Sequence, residues 1–79
     1  MHMTYDREVD AAYITFGKNV GAGEAAQQVS FIETPNGQTQ VTIDVDKEGY
    51  LLGIEILSAS VGLHADVISE ATVSYTHLR

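Results

Sequence analysis

Four carboxylates in the middle of the chain have the spacing of a calcium-binding loop. Acidic residues stand at its first, third, fifth and twelfth positions, with glycine at the sixth: Asp44, Asp46, Glu48, Glu55 and Gly49. Calcium takes about six to eight oxygen ligands, which a loop of this spacing can supply. An EF-hand also needs a helix on each side, whereas both flanks here alternate as strands do. We therefore expect no bound metal, with calcium at this loop as the minor alternative.

A second group of carboxylates, Asp6, Glu8 and Asp10, lies near the N-terminus. Paired carboxylates can act as acid and base or hold a metal. Aspartate is also a common turn residue, because its side chain bonds the backbone two residues on. Ser58, Ser60 and Ser69 lie near only one histidine, His64. The sequence thus predicts no catalytic residues and no cofactor, and a metal-dependent or hydrolytic enzyme using the turn carboxylates is the alternative.

Tyrosines accompany these acids in segments that alternate like strands. Stacking on nucleic-acid bases would need positive charge around them, and that charge is missing. An amphipathic tyrosine suits either sheet packing or the rim of a protein interface. The candidate interface combines the aromatic and acidic side chains of the first hairpin: Tyr5, Asp6, Glu8, Asp10 and Tyr13.

The charge balance narrows the class of partner. The 79-residue chain has 11 acidic and four basic residues, a formal net charge of −7. Phosphate backbones are bound chiefly by Lys and Arg, so we expect no direct binding of nucleic acid. The acidic excess suits a small basic protein partner, or serves solubility alone. There is no cysteine, and a chain this short often depends on a partner subunit, so a homodimer is also open.

Hydropathy points to a cytoplasmic protein. No apolar run approaches the roughly 20 residues needed to cross a bilayer, so no membrane partner is expected. The N-terminus shows no basic segment followed by an apolar one, as a signal peptide would. We expect one small domain over residues 1–72.

Apolar residues recur with a period of two along most of the chain, which predicts strands with one buried face. The clearest case is residues 41–57, where two alternating segments flank a polar turn at 46–49. An earlier hairpin joins residues 3–5 to 11–16, and residues 17–23 form a glycine-rich loop. A third strand lies within 25–33, before an Asn36-Gly37 turn.

Helical spacing replaces this alternation near the C-terminus. One helix is predicted from about Val61 to Ala71, with Ser58 or Ser60 as N-cap. The predicted fold class is α+β: an antiparallel meander of four or five strands with one C-terminal helix packed on one face. The predicted core gathers the apolar side chains of that face: Ile14, Phe16, Val29, Phe31, Val41, Ile43, Val45, Leu52, Ile54, Ile56 and Ile68.

The last seven residues, VSYTHLR at 73–79, look foreign to this domain. They resemble the translation of an adapter used in shotgun sequencing libraries. We expect a non-native tail that packs poorly and replaces the natural C-terminus, and an ordinary polar tail is the alternative. A fully paired central strand at these residues would contradict the adapter hypothesis.

Two blocks of the sequence resemble a bacterial family, the domain of unknown function 2283. They are YDREVDAAYITF at 5–16 and GIEILSAS at 53–60, with a hairpin between them, and the resemblance spans residues 3 to 60. The chain departs from the family at Ala12, where leucine is usual, and in a longer segment around 35–37. The resemblance implies a small antiparallel sheet followed by a helix, and it supplies no established catalytic residues.

The resemblance also bears on function. Some members of that family look as if they are encoded beside small toxin-like proteins, which implies an antitoxin-like role. Together with the charge and the small size, this predicts a non-enzymatic module that binds a protein partner. The enzyme described above remains the alternative.

Overall fold

The computed structural model describes residues 1–17 and 27–73. Within them the chain forms six strands and two short helices. The elements, in chain order, are β1 (His2–Asp6), β2 (Ala11–Thr15), β3 (Gln27–Glu33), β4 (Gln40–Val45), β5 (Leu51–Leu57), α1 (Ala59–Gly62), α2 (Ala65–Ser69) and β6 (Thr72–Val73).

All six strands form one sheet in the order β3-β4-β5-β2-β1-β6. Both predicted hairpins are confirmed, and every neighbouring pair is antiparallel except β1 with β6. The fold class α+β is therefore correct, but the simple meander of four or five strands is wrong. Strand β2 pairs with β5 because apolar residues face each other there, Ile14 opposite Ile54 and Ala12 opposite Ile56. Strands β2 and β3 follow each other in the sequence but are not neighbours, since β2 lies within the sheet and β3 at one edge.

One face of the sheet carries the alternating apolar side chains, as predicted. Ala12 and Ile56 are buried on it together with Ala59 of α1. Around these three, several apolar side chains are only half-buried: Met3, Tyr5, Ile14, Val41, Ile54 and Leu63. The short helices cover only part of the face, so the core is smaller than the predicted one.

The predicted core residue Phe31 is 66% exposed. The pairing of β3 with β4 shifts register between Val29 and Ile32, which marks a β-bulge. Ser30 takes a left-handed φ of 61° at this point. A bulge inserts an extra residue and interrupts the alternation, so the period-two pattern assigned Phe31 to the wrong side.

The predicted single helix is replaced by two short ones. Leu63 ends α1 in an extended conformation, and the chain turns before α2. Gly62 explains how closely α1 approaches the sheet, since a Cβ there would come within 2.5 Å of the Thr39 side chain. Ser58 does precede α1, but its side chain makes no capping hydrogen bond. Its φ is 55°, and its carbonyl accepts a 3.1 Å hydrogen bond from the Thr39 hydroxyl.

The predicted loop apart from Gly17, the first two residues of the predicted third strand and most of the predicted tail lie outside the described residues, which leave out 18–26 and 74–79. Val73, the first tail residue, pairs with Tyr5 in the edge strand β6 rather than in a central strand. The adapter origin and the domain boundary at 72 stay predictions. In the described part of the chain, neither helix is long or apolar enough to span a membrane.

Candidate functional site

The acidic turn between β1 and β2 is built around Asp6. This side chain is only 5% exposed, and its Oδ1 accepts a 3.0 Å hydrogen bond from the Glu8 amide. This is the Asx turn that aspartate commonly forms. The carboxylate of Asp6 thus shapes the turn rather than facing a substrate.

Asp10 ties this turn to α1. Its Oδ1 accepts hydrogen bonds from the Tyr5 hydroxyl at 2.6 Å and the Ser60 amide at 3.0 Å, and its Oδ2 accepts one from the Ser60 hydroxyl at 2.7 Å. Burial alone would raise the pKa of Asp10, but the hydrogen bonds from Tyr5 and Ser60 outweigh it and lower that pKa. The Tyr5 pKa rises, chiefly because its hydroxyl donates to Asp10. Asp10 therefore acts as a structural anchor.

The four carboxylates of the calcium-like pattern are divided between a turn and a sheet face. Asp46 Oδ1 accepts hydrogen bonds from the Glu48 and Tyr50 amides, at 3.0 and 2.9 Å, and so closes the turn. Asp44 lies in β4 and Glu55 lies in β5. An EF-hand would have its binding loop and flanking helices at these residues, not two paired strands. Among residues 1–17 and 27–73, no three acidic or histidine side chains are placed to hold a metal ion.

Asp44 and Glu55 instead meet Tyr13 on the polar face of the sheet. In the register of β2, β5 and β4, Tyr13 lies opposite Glu55, and Glu55 lies opposite Thr42. The Tyr13 hydroxyl donates a 2.8 Å hydrogen bond to Asp44 Oδ2. We call Tyr13, Asp44, Glu55, Thr42 and Gln28 the Tyr13–Asp44 cluster.

Gly53 makes room for this arrangement. A Cβ at residue 53 would come within 2.5 Å of both the Tyr13 hydroxyl oxygen and the Ile14 carbonyl oxygen. The Tyr13 side chain therefore crosses directly over the Gly53 backbone to reach Asp44. A glycine inside a strand often marks such a close approach.

Gln28 of β3 completes the cluster from its exposed side. It lies opposite Asp44 in the register, and its Nε2 donates to Glu55 Oε1 at 2.8 Å and to the Thr42 hydroxyl at 3.2 Å. Thr42 itself is buried, whereas Gln28 is exposed. The amide of Gln28 therefore covers the polar groups that lie beneath it.

The electrostatic environment of the cluster is negative. Burial, the hydrogen bond to Asp44 and the charges of Asp44 and Glu55 together raise the pKa of Tyr13 well above its ordinary value. Within the part of the chain that the structure describes, no Lys, Arg or His side chain pairs with Asp44 or Glu55. The cluster is rich in acceptors and holds no cation of its own there.

A second concave surface lies between β1 and α2. It is an open groove of about 280 Å³ lined by Met3, Asp66, Val67 and Glu70. Asp66 lies in α2 and Glu70 directly after it, and both are exposed. Because none of these four lining residues has a buried polar atom without a partner, the groove is a weaker candidate than the Tyr13–Asp44 cluster.

The predicted interface residues do not form one surface. Tyr5 lies on the apolar face, where it packs against the core, and Tyr13 lies on the polar face with Asp44. Asp6 and Asp10 stabilise the turn and α1, and Glu8 is exposed in that turn. The sequence prediction did not include Thr42 and Gln28 in a site, because alternation assigns a side chain to a face of the sheet but not to its neighbours on that face.

Comparison with known proteins identifies a family without assigning a function. Neither the curated proteins nor the solved structures contain a match to this chain. The family described as "Protein of unknown function (DUF2283)" matches residues 2–60, which include β1 to β5 and the whole Tyr13–Asp44 cluster. The chain belongs to this DUF2283 family.

Proposed function

We propose that this chain is a non-enzymatic binding module, antitoxin-like in role, that takes a small basic protein on the polar face and β3 edge of its sheet. The observation that carries the proposal is the Tyr13–Asp44 cluster, where two carboxylates meet and no basic side chain of the described residues neutralises them. A partner with Lys or Arg side chains would supply the missing charge. The net charge of −7 would attract such a partner over a distance.

The edge strand β3 adds apolar contact area beside the cluster. Phe31 and Ile32 are 66% and 51% exposed in the strand that also carries Gln28. An edge strand offers backbone groups for pairing with another chain, and an interface commonly sets aromatic anchors beside polar groups. Ile32 lies opposite Val41, whose side chain packs on the apolar face, so the contact area proposed beside the cluster is the backbone edge of β3 together with the exposed Phe31.

The alternative of a metal-dependent or hydrolytic enzyme gains no support from the acidic turn. The oxygens of Asp6 and Asp10 accept hydrogen bonds from the turn backbone, from Tyr5 and from Ser60. An enzyme at this turn would need to give up those contacts to free its carboxylates. We therefore rank the binding module first.

The test is co-expression of the intact chain with the product of the neighbouring gene. We expect a small basic protein to co-purify and the complex to dissociate as ionic strength rises, since salt screens charge attraction. Repeated recovery of the chain alone would overturn the proposal.

A pair of surface variants tests whether β3 is the contact. Phe31→Ser should weaken the complex by about fivefold or more, because aromatic anchors dominate interface energies. Val9→Ser is the matched control, since Val9 is 55% exposed in a distant turn. Equal effects of the two variants would show that β3 is not the binding edge.

A further inference from the structure

Asp44 is a buried carboxylate whose hydrogen bonding is incomplete. The residue is 7% exposed, and its Oδ2 accepts the hydrogen bond from Tyr13. Its Oδ1 is fully buried and accepts no hydrogen bond from residues 1–17 or 27–73. An ionised carboxylate has about four acceptor positions, and buried polar groups nearly always have partners. Asp44 therefore keeps an unused acceptor in a place where leaving it unused is costly.

The surrounding chain holds this acceptor in place. Tyr13 lies across Gly53 in the space that a Cβ would otherwise fill. The hydroxyl of Tyr13 fixes one oxygen of Asp44 at 2.8 Å, which leaves the other oriented by the same rigid pair. An acceptor fixed before the ligand arrives loses little entropy on binding.

The complementary ligand group is a cation with several N–H donors. Asp44 and Glu55 supply negative charge, which adds to burial and to the Asp44 hydrogen bond in raising the pKa of Tyr13. A guanidinium group carries five N–H donors and an ammonium group three, and neither accepts a hydrogen bond. A metal ion fits less well, because the described residues offer no group of three ligand side chains.

Gln28 controls the approach to this position. It is exposed, lies opposite Asp44 in the register, and donates from Nε2 to Glu55 and Thr42. Its amide is thus a neutral donor held over the acceptors. Exposed side chains change rotamer within picoseconds to nanoseconds, so Gln28 can rotate away quickly, and the N–H donors of the ligand would replace the hydrogen bonds that it gives up.

We propose that the Tyr13–Asp44 cluster is a subsite for a guanidinium or ammonium group, which reaches Asp44 and Glu55 when the Gln28 amide rotates away. The source of that group is an arginine or lysine side chain of the partner protein, and in this respect the inference rests on the proposed function. The chemistry of the subsite itself can be tested without any partner.

The experiment is an NMR titration of the isotope-labelled full chain with N-acetyl-arginine amide. N-acetyl-citrulline amide, which has nearly the same shape without the charge, is the matched ligand control. We expect saturable shifts of the backbone amides around Tyr13, Gln28, Asp44 and Glu55, and binding of the citrulline compound weaker by about tenfold or more. Equal binding of the two compounds, or shifts away from these residues, would overturn the proposal.

Two variants locate the contact. Asp44→Asn should weaken the binding of N-acetyl-arginine amide by about tenfold, while Glu48→Gln, an exposed carboxylate with the same charge change, should leave it unaltered. Gln28→Ala, at an exposed position, should bind at least as tightly as the wild type. If Asp44→Asn does not fold, the Gln28→Ala variant alone still tests the proposal. Weaker binding of N-acetyl-arginine amide by Gln28→Ala would contradict the proposal that the ligand enters where the Gln28 amide lies.

The outcomes separate this proposal from the proposed function. Binding of N-acetyl-arginine amide without any co-purifying basic protein would support the subsite and overturn the function. Co-purification of a basic protein, with no binding of N-acetyl-arginine amide, would support the proposed function and overturn the subsite. Spermidine serves as a free polyamine, and binding of spermidine about tenfold tighter than the arginine compound would overturn the assignment to a protein side chain.

Discussion

Two tyrosine–aspartate pairs lie on opposite faces of the sheet and are connected differently. Asp10, paired with Tyr5, also accepts two hydrogen bonds from Ser60 of α1. Asp44, paired with Tyr13, accepts one hydrogen bond from the described part of the chain, and its buried Oδ1 has no partner there. The more deeply buried carboxylate therefore has the fewer donors.

This difference runs against the usual relation between burial and hydrogen bonding. Buried charge is expected to have more partners than exposed charge, because desolvation is costly. The Tyr5–Asp10 pair follows the rule and serves the fold. The Tyr13–Asp44 pair departs from it, and such departures concentrate at functional sites. The comparison thus separates an aspartate whose hydrogen bonds stabilise the fold from one that keeps an unpaired acceptor among the described residues.

The largest expected effect comes from breaking the Tyr5–Asp10 pair. Asp10→Ala should lower the free energy of unfolding by about 2–4 kcal/mol, because three hydrogen bonds to a charged group are lost. Asp10 also has a left-handed φ of 55°, which asparagine tolerates better than alanine does. Asp10→Asn should therefore cost only about half as much. Urea denaturation monitored by circular dichroism measures both.

Glu48→Ala is the control for this measurement, since Glu48 is exposed in another turn. Its effect should stay within about 0.5 kcal/mol. If Asp10→Ala were equally mild, the hydrogen bonds between the turn and α1 would not anchor the fold.

A smaller effect is expected where Tyr13 crosses the sheet. Gly53→Ala places a Cβ 2.5 Å from the Tyr13 hydroxyl oxygen and from the Ile14 carbonyl oxygen, so the ring must move and the backbone must adjust. We expect a loss of about 1–3 kcal/mol in the free energy of unfolding. Tyr13→Phe separates the two contributions, because it removes the hydrogen bond to Asp44 without crowding the strand. A Gly53→Ala variant as stable as the wild type would show that Tyr13 does not lie over residue 53.

The sequence predicted those parts of the fold that depend on local pattern. Alternation located the two hairpins and the apolar face, because each side chain in a regular strand points opposite to the previous one. The pattern failed at Phe31, where a bulge interrupts the alternation, and at Leu63, where an extended residue divides the helix. It also could not give the strand order, which depends on long-range pairing of β2 with β5.

The site was predictable only in part. Asp44, Glu55 and Tyr13 were all noted, but in separate motifs, because residues 13 and 44 meet only through the pairing of β2, β5 and β4. Gly53 was the available signal, since a glycine within an apolar strand indicates close approach by another group. Gln28 gave no signal, because its role follows from lying opposite Asp44.

Replacing the carboxylate of the second pair should have little effect on stability. Asp44→Asn removes a buried charge that lies near Glu55 and has an unpartnered oxygen. We expect the free energy of unfolding to stay unchanged or to rise by up to about 1 kcal/mol, because removing an uncompensated charge offsets the weaker hydrogen bond to Tyr13. Urea denaturation of Asp44→Asn and of Asp10→Asn under the same conditions provides the direct comparison. A loss for Asp44→Asn as large as that for Asp10→Asn would remove the distinction between the two pairs.

The smallest expected effect is a loss of stability in acid, and it concerns only the Tyr5–Asp10 pair. Because hydrogen bonds from Tyr5 and Ser60 lower the pKa of Asp10 in the folded protein, its contribution to stability is fully present above the unfolded pKa of about 3.9. That contribution is lost as the pH falls through the lower pKa of the folded state. The stability difference between the wild type and Asp10→Asn should therefore be constant at neutral pH and narrow below about pH 4. Urea midpoints measured for both proteins across this range test the sign, and a difference that widened with acid would mean that Asp10 holds its proton more tightly in the folded protein than in the unfolded chain.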